Sequence, residues 1–556
     1  MRIVSTVFIA LLLYLFVSSC ARQSSPMGGP KDEDSPLLLS SSPKNESLNS
    51  KPTTIDLVFN EYIKIENPTK QIIITPKIQS DEVEFLATKN RLSIKLNQEL
   101  EDSTTYVFNF QKSVQDITES NPVNNLKLVF STGSEIDSLK FSGSLSYVFP
   151  RDEKDIVDVL VGLYPAADTT NIFSAAPYYI AQTDSLGNFE ITNIKSGEYR
   201  AYAFHDDNNS LKAEFRSEAY GFLNENIQLD SNISNVTFKL FSADLSDLKI
   251  NRSSSVGNNY DLILNKFPAE YELFHPEIND KLFYRLDEKN IRLYHLGETE
   301  DSTAVRLIVR DSVGFSIDTT FFAKFEKSER SPQDLEVSTN SGKAFLKRLK
   351  SELNFNKPLL KINYDSLFIR YDSASRIPII PENVSLSDSS DFTKLEITVE
   401  IPDSLLIETF TIFAADSTFM DVENQWNKMK VEARYNKLKE ESLADEVSGK
   451  VETNELPLIV QLMDKSDEII QEVYLTTSNE FIFTDLEAGE YKLRAIFDRN
   501  KNRRWDPGNL IEKRQPEAVY HFYDIENETN QFVLRGGWSL QNIIISTSDN
   551  SNTPQL

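Results

Sequence analysis

The stretch Gly187-Asn188-Phe189-Glu190-Ile191-Thr192-Asn193-Ile194-Lys195-Ser196-Gly197-Glu198-Tyr199 decides the fold. Phe189 and Ile191 alternate with polar residues, the period of a strand with one buried face. Gly197 permits a tight turn, after which Tyr199, Ala201 and Ala203 restart the alternation. The phrase returns as Asn479-Glu480-Phe481-Ile482-Phe483-Thr484-Asp485-Leu486-Glu487-Ala488-Gly489-Glu490-Tyr491. Phe189 falls on Phe481, Gly197 on Gly489 and Tyr199 on Tyr491, all at one constant offset. A repeat at such separation marks a duplicated domain, not a solenoid period.

Outward from these phrases the chain is a succession of short β segments. Toward the N-terminus they read Ile55-Asp56-Leu57-Val58-Phe59, Gln71-Ile72-Ile73-Ile74-Thr75, Leu92-Ser93-Ile94-Lys95-Leu96 and Tyr106-Val107-Phe108-Asn109-Phe110. Asp, Asn, Pro and Ser clusters part them at spacings that suit a β-sandwich. In the middle, Leu353-Asn354-Phe355-Asn356-Lys357-Pro358 echoes the opening of the first unit, and Leu395-Glu396-Ile397-Thr398-Val399 echoes its centre. Asp421-Val422-Glu423-Asn424 with Trp426 echoes the loop at Asp116. Residues 342–353, basic and short, read as helical, and residues 427–444 as partly helical. No Ser-rich or Gly-rich linker divides the units, so they are expected to abut in a stiff rod or arch.

Composition agrees with an all-β chain. Its 556 residues suggest about four domains at roughly 150 residues each. Phe (35) and Tyr (21) are abundant and Gly (17) is scarce, a bias expected of strands. Lys plus Arg number 58 against 85 Asp plus Glu, a net charge of −27, which excludes an electrostatic footprint for nucleic acid. One Cys makes an internal disulfide impossible, and four dispersed His (His205, His275, His295, His521) leave little for metal or acid–base chemistry. No nucleophile-elbow, Walker, Rossmann or metalloprotease pattern occurs, so no catalytic residue is assigned and the chain does not read as an enzyme.

The N-terminus carries an address. Arg2, an apolar run over residues 3–17 and the small residues Ser18 and Ser19 describe a secretory signal, too short and wrongly flanked for a spanning helix. The single Cys stands where cleavage is due, and Val17-Ser18-Ser19-Cys20 resembles a bacterial lipobox. That resemblance implies a lipoprotein signal peptide over residues 1–19, acylation (palmitate) of Cys20, and a polar tether over 20–36.

Further family resemblances follow from quoted residues. Phe59-Asn60-Glu61-Tyr62-Ile63, Thr104-Thr105-Tyr106, Asp116-Ile117-Thr118-Glu119-Ser120-Asn121 and Phe130-Ser131-Thr132-Gly133 resemble bacterial Ig-like domains of the surface-layer type, common in Bacteroidota surface lipoproteins. The duplicated phrase resembles the transthyretin-like sandwich found as a carboxypeptidase-regulatory-like domain. These resemblances imply tandem Ig-like and transthyretin-like β-sandwiches. The expected units are an Ig-like domain at 37–136, a transthyretin-like sandwich at 137–243 and a less recognisable or Ig-like β unit at 244–330. A degenerate Ig-like domain at 337–445 and a second transthyretin-like sandwich at 446–546 complete the chain.

Candidate sites sit on loops. After the second Tyr strand runs Asp498-Arg499-Asn500-Lys501-Asn502-Arg503-Arg504-Trp505-Asp506-Pro507-Gly508. Asp498, Asn500, Asn502 and Asp506 occupy alternating positions of a calcium loop, or else serve as turn formers that bond their own backbone. Asp206, Asn208, Ser210 and Glu214 stand at equivalent positions in the first copy. No other cofactor is implied. Asp-Ser pairs resemble the O-glycosylation acceptor of exported Bacteroidota proteins, with Ser103, Ser138 and Ser185 as attachment points on turns. Trp505 is the recognition candidate, because loops on rigid sandwiches carry binding; Trp426 and Trp538 read as core.

Together these readings give a non-catalytic, lipid-anchored outer-membrane protein exposed at the cell surface. Its expected role is a scaffold or accessory subunit of an outer-membrane machine (barrel assembly, surface-lipoprotein export or uptake), with a membrane barrel or other lipoproteins as partners. The alternative is a cell-surface adhesin or glycan-binding protein.

Overall fold

The computed structural model describes residues 32–149, 156–297, 301–329, 331–373, 375–387, 390–439 and 442–547. Residues 1–31, on which the expected leader, Cys20 and most of the expected tether fall, lie outside them. The chain is all-β: among the described residues the one α-helix is the turn Pro68–Gln71.

Five hydrophobic cores follow one another, over residues 55–130, 141–240, 248–325, 335–435 and 444–545. In the first unit Ile55, Leu57 and Phe59 of strand Thr54–Phe59 point inward while Asp56 and Val58 do not, as strand periodicity dictates. That strand lies between Leu38–Ser42 and Arg91–Leu96, with Val83–Thr88 at the far edge. The opposing sheet orders Ile73–Thr75, Thr105–Asn109 and Lys127–Ser131. Its loop turns on Asp116, fully buried, which accepts N–H groups of Thr118, Glu119, Ser120 and Asn121. Burial alone would raise this carboxyl, but these donors and the Thr118 hydroxyl outweigh it and hold it at about 2.

The second and fifth units are built alike. In the second, strand Leu139–Tyr147 lies between Asn188–Ile194 and Ile233–Leu240, and pairs with the latter in parallel. In the fifth, Glu446–Val451 lies between Glu480–Phe483 and Ser539–Ile545, again parallel to the last. Each unit's second sheet is centred on the strand that opens with the repeated Gly-Glu-Tyr, Gly197–Phe204 and Gly489–Phe497. The tyrosine hydroxyl bonds a carbonyl four residues back in both, Tyr199 to Lys195 and Tyr491 to Glu487. The first strand of each unit shifts register just before a glycine, Gly143 or Gly449. A Cβ there would collide with the carbonyl of Val236 or Ile543 on the parallel partner.

Two local expectations change. Residues 342–353 are no helix: Arg348–Phe355 is a strand paired with Lys394–Glu400, with Leu349, Ser351, Leu353 and Phe355 turned inward. Arg348 and Lys350 lie on its solvent face with Glu352 and Asn354. Residues 427–444 hold the strand Val431–Lys437, paired with Thr409–Ala414, where a partly helical run was expected.

Of the rod or arch expected, the contacts are those of an arch, because the chain returns on itself. The first and second units meet where Tyr178 donates to Glu101 and the Lys77 N–H bonds Tyr178 O at 3.0 Å. The third and fourth meet through Arg285, which bonds Asn356 O, and through a buried triad in which Lys357 Nζ lies 2.6 Å from Asp421 and 2.9 Å from Glu423. Asn259 of the third unit donates to the same Glu423. The fifth unit then packs against both the second and the third, through the loop described below.

Gly449→Ala should destabilise the fifth unit by about 2 to 3 kcal/mol, the range of an overpacked site with backbone on the far side. Gly489→Ala is the control for crowding, since a Cβ there meets only the Tyr491 ring at 3.4 Å or more and the backbone is not left-handed. Urea unfolding midpoints of the two variants check the difference.

Candidate functional site: the loop that closes the chain

Strand Gly489–Phe497 runs out into residues 498–518, an irregular segment that must pack between sandwiches. Buried irregular backbone needs an acceptor for each N–H, and the sequence provides them as side chains. Asp498, fully buried, accepts the N–H of Asn502 at 3.0 Å and of Arg503 at 2.9 Å. Asn500 Oδ1 accepts Asn502 N–H, and Asn502 Oδ1 accepts Arg504 N–H. The side-chain amides of Asn500 and Asn502 both donate to Asp506 Oδ2. Lys501 and Arg503 adopt φ of 65° and 62°, the left-handed backbone such a wrap requires.

A residue that spacing did not reveal completes the loop. Glu517, nearly buried, accepts Arg499 N–H at 2.8 Å on Oε1 and Asp506 N–H at 3.0 Å on Oε2, tying the loop's start to its end. Burial raises its pKa, against the pull of these two donors, and the nearby Asp506 and Asp498 add to the rise. The second unit repeats the device: Glu218 accepts Asp207 N–H on Oε1 and Glu214 N–H on Oε2. Asp206 accepts Ser210 N–H and Leu211 N–H, as Asp498 does for Asn502 and Arg503. Glu517 lies too far along the chain from Asp498 for any loop spacing to point to it.

The four candidate calcium residues are brought together by this wrap. Asp498, Asn500, Asn502 and Asp506 do converge, but as donor–acceptor pairs, with the carboxylate oxygens committed to N–H groups. Among the described residues no group of three or more His, Cys, Asp or Glu side chains is arranged to hold a metal ion.

The outer surface of the loop makes the closure. Trp505, expected to be held out for recognition, is half-buried: its ring meets Phe149 edge-on at 4.8 Å, and its indole N–H bonds Glu517 O at 2.9 Å. It stands in one apolar cluster with Tyr220, Phe222, Phe241 and Val313. Gly508 lies against the ring of Phe241, where a Cβ would not fit. Gln515 reaches Phe222 O and Asn224, and Arg494 sits 5.0 Å over the Phe149 ring. Toward the third unit, Arg504 bonds Ala269 O and pairs with Glu270, while Asn509 and Arg514 both donate to Val313 O. His521 Nε2 faces Val148 O at 3.3 Å. Burial holds this imidazole down at about 4, and Arg494 adds to the effect, so it is neutral at physiological pH.

Other candidates fall elsewhere. Trp538, read as core, is 56% exposed with Arg535 stacked over it, and Trp426 is half-buried. Ser103 and Ser185 are exposed in turns, and Ser138 is exposed in the segment that leads into strand Leu139–Tyr147. His275 and His295, distant in sequence, are brought to the same side chain region, with Glu277 N–H bonding His275 Nδ1 and its carboxylate 3.4 Å from His295 Nε2.

Trp505→Ala should cost roughly 2–3 kcal/mol, less than the ~3–5 of a fully buried Trp, and should loosen the fifth unit from the second. Faster hydrogen exchange at Phe149 and Phe222, with the fourth unit unchanged, is the expected readout. Because the folded imidazole of His521 titrates below its ordinary 6.5, closure should weaken as pH falls from 6.5 toward 4. His521→Gln, which retains a donor but does not titrate, should lose less stability over that window in calorimetry.

Residues 32–132 match the family described as bacterial Ig-like domain, less than half of the chain. No curated protein matches. Among solved structures the chain is similar to surface layer protein SbsC, domains 1–6, at 12% identity over 92% of this chain and 68% of that one, with a TM-score of 0.16. It is similar to SGBP-B of the Bacteroides ovatus mixed-linkage glucan utilization locus, in complex with a mixed-linkage heptasaccharide, at 12% identity over 65% and 93%, TM-score 0.18. The BSP domain of a biofilm associated protein gives 10% identity over 87% and 97%, TM-score 0.15. Likeness at this level assigns no ligand to the chain.

Proposed function

We propose that this chain is a non-catalytic binding protein of the cell surface, held to the outer membrane by acylation of Cys20 and acting as an adhesin or glycan-binding platform. The observation that carries the reading is the closure at residues 498–518. It joins the second, third and fifth units into one body and so holds their outer surfaces in fixed relation, which lowers the ordering cost of binding an extended partner. The hydroxyl bonds of Tyr199 and Tyr491, and the parallel terminal strands, support a transthyretin-like reading of the second and fifth units. The exposure of Ser103, Ser138 and Ser185 supports O-glycans at these positions.

The experiment is fractionation and pull-down from cells in mild detergent. The full chain should partition with outer membrane and be cut by protease added to intact cells, whereas Cys20→Ser should leave the membrane fraction. The extracted protein should behave as a free monomer that binds polysaccharide. A barrel protein recovered in equal amount would replace this reading with that of a machine scaffold. An unmodified thiol on secreted protein would overturn the anchor.

A further inference from the structure

A second, separate feature lies at the junction of the first and second units. An apolar cleft with about 70 Å³ of free space opens there, walled by Ile72, Ile74, Ile78 and Phe85 on one side and Ile180 and Leu211 on the other. Leu211 reaches it at a cost. It holds φ at 58°, a left-handed conformation unfavourable for a branched residue, because its N–H is taken by Asp206 Oδ2 at 2.8 Å. The equivalent place in the closing loop belongs to Arg503, so the same backbone device that there presents a cation here presents a hydrocarbon.

The mouth of the cleft is basic. Lys70 and Lys77 line it, and Lys212 is near enough to repel Lys77. The backbone of Lys77 is pinned to Tyr178 O, so its side chain starts from a fixed point. In a chain with 85 carboxylate side chains against 58 cations, none of these three ammonium groups forms an ion pair among the described residues. Lys77 and Lys212 are half-buried and Lys70 is exposed; half-buried cations without a counterion favour an anion of outside origin, and burial strengthens the charge-assisted bond it would make.

We propose that this cleft binds an anionic amphiphile: a carboxylate or phosphate head at Lys77 and Lys212, followed by a short unbranched hydrocarbon tail between Ile78, Ile180 and Leu211. Charge complementarity selects the head and the apolar walls select the tail. A neutral amphiphile meets only the second requirement, and an inorganic anion only the first. Because the cleft spans the two units, an occupant also ties them together.

The test is calorimetric titration of the full-length chain, in neutral phosphatidylcholine nanodiscs, with octanoate, octyl phosphate, octanol and inorganic phosphate. Octanoate or octyl phosphate should bind at least tenfold more tightly than octanol and than phosphate. Preference between the two anions tells a fatty-acid head from a phospholipid-type head. Lys77→Met should weaken the anionic ligand about tenfold while leaving octanol unchanged, Lys77→Arg should restore binding, and Leu211→Ala should weaken both ligand types. Equal binding of octanol and the anions, no binding at all, or a Lys77→Met variant with wild-type affinity and wild-type melting would overturn the proposal. Failure here leaves the cell-surface reading untouched, since that is decided by fractionation.

Discussion

Irregular backbone cannot be buried unless each of its N–H groups finds an acceptor, and this requirement shapes the junction that closes the chain. Loops that stay in water escape it. Residues 498–518 do not, because they pack among three sandwiches. The solution is a set of buried carboxylates aimed at main chain: Asp498 at the loop's turn and Glu517 across its base. Only a rigid loop can present Trp505, Arg504, Asn509 and Arg514 to two other units at once.

The same solution recurs with different partners. Asp116 is satisfied by main-chain N–H groups and one hydroxyl, and Asp421 accepts Glu423 and Gln425 N–H in the corresponding loop of the fourth unit. There the remaining oxygen faces Lys357, and that ammonium draws in Glu423, whose other oxygen accepts from Asn259 of the third unit. A local turn-forming carboxylate thus becomes a link between domains once a cation is placed beside it. Removing one member of such a buried set leaves its partners charged and dry, which is why these junctions behave as units and not as sums of contacts.

Much of the architecture was legible because strand alternation is a local signal. Phe189 and Phe481 announced a duplicated unit, and Asp116 and Asp421 announced matching loops. Where the reading failed, the cause was a partner distant in sequence. Arg348 and Lys350 look helical until Lys394–Glu400 is seen pairing with their strand. The contact of Trp505 with Phe149 has no local signal either, and Trp538, read as core, is exposed because no segment of the chain is brought over it. Glu517 had no signal at all, since its task is defined by the N–H groups of Arg499 and Asp506 and not by any neighbour in the chain. The apolar cleft was equally hidden, being made from halves contributed by two units.

The parallel pairing of first and last strands in the second and fifth units has a mechanical meaning. Tension pulling the entry of Leu139–Tyr147 one way and the exit of Ile233–Leu240 the other loads their hydrogen bonds side by side, so they must break together, whereas an antiparallel pair pulled from its open end peels one bond at a time. The same geometry holds for Glu446–Val451 and Ser539–Ile545. A chain tugged between a fixed point and a distant load would therefore yield last at these two units.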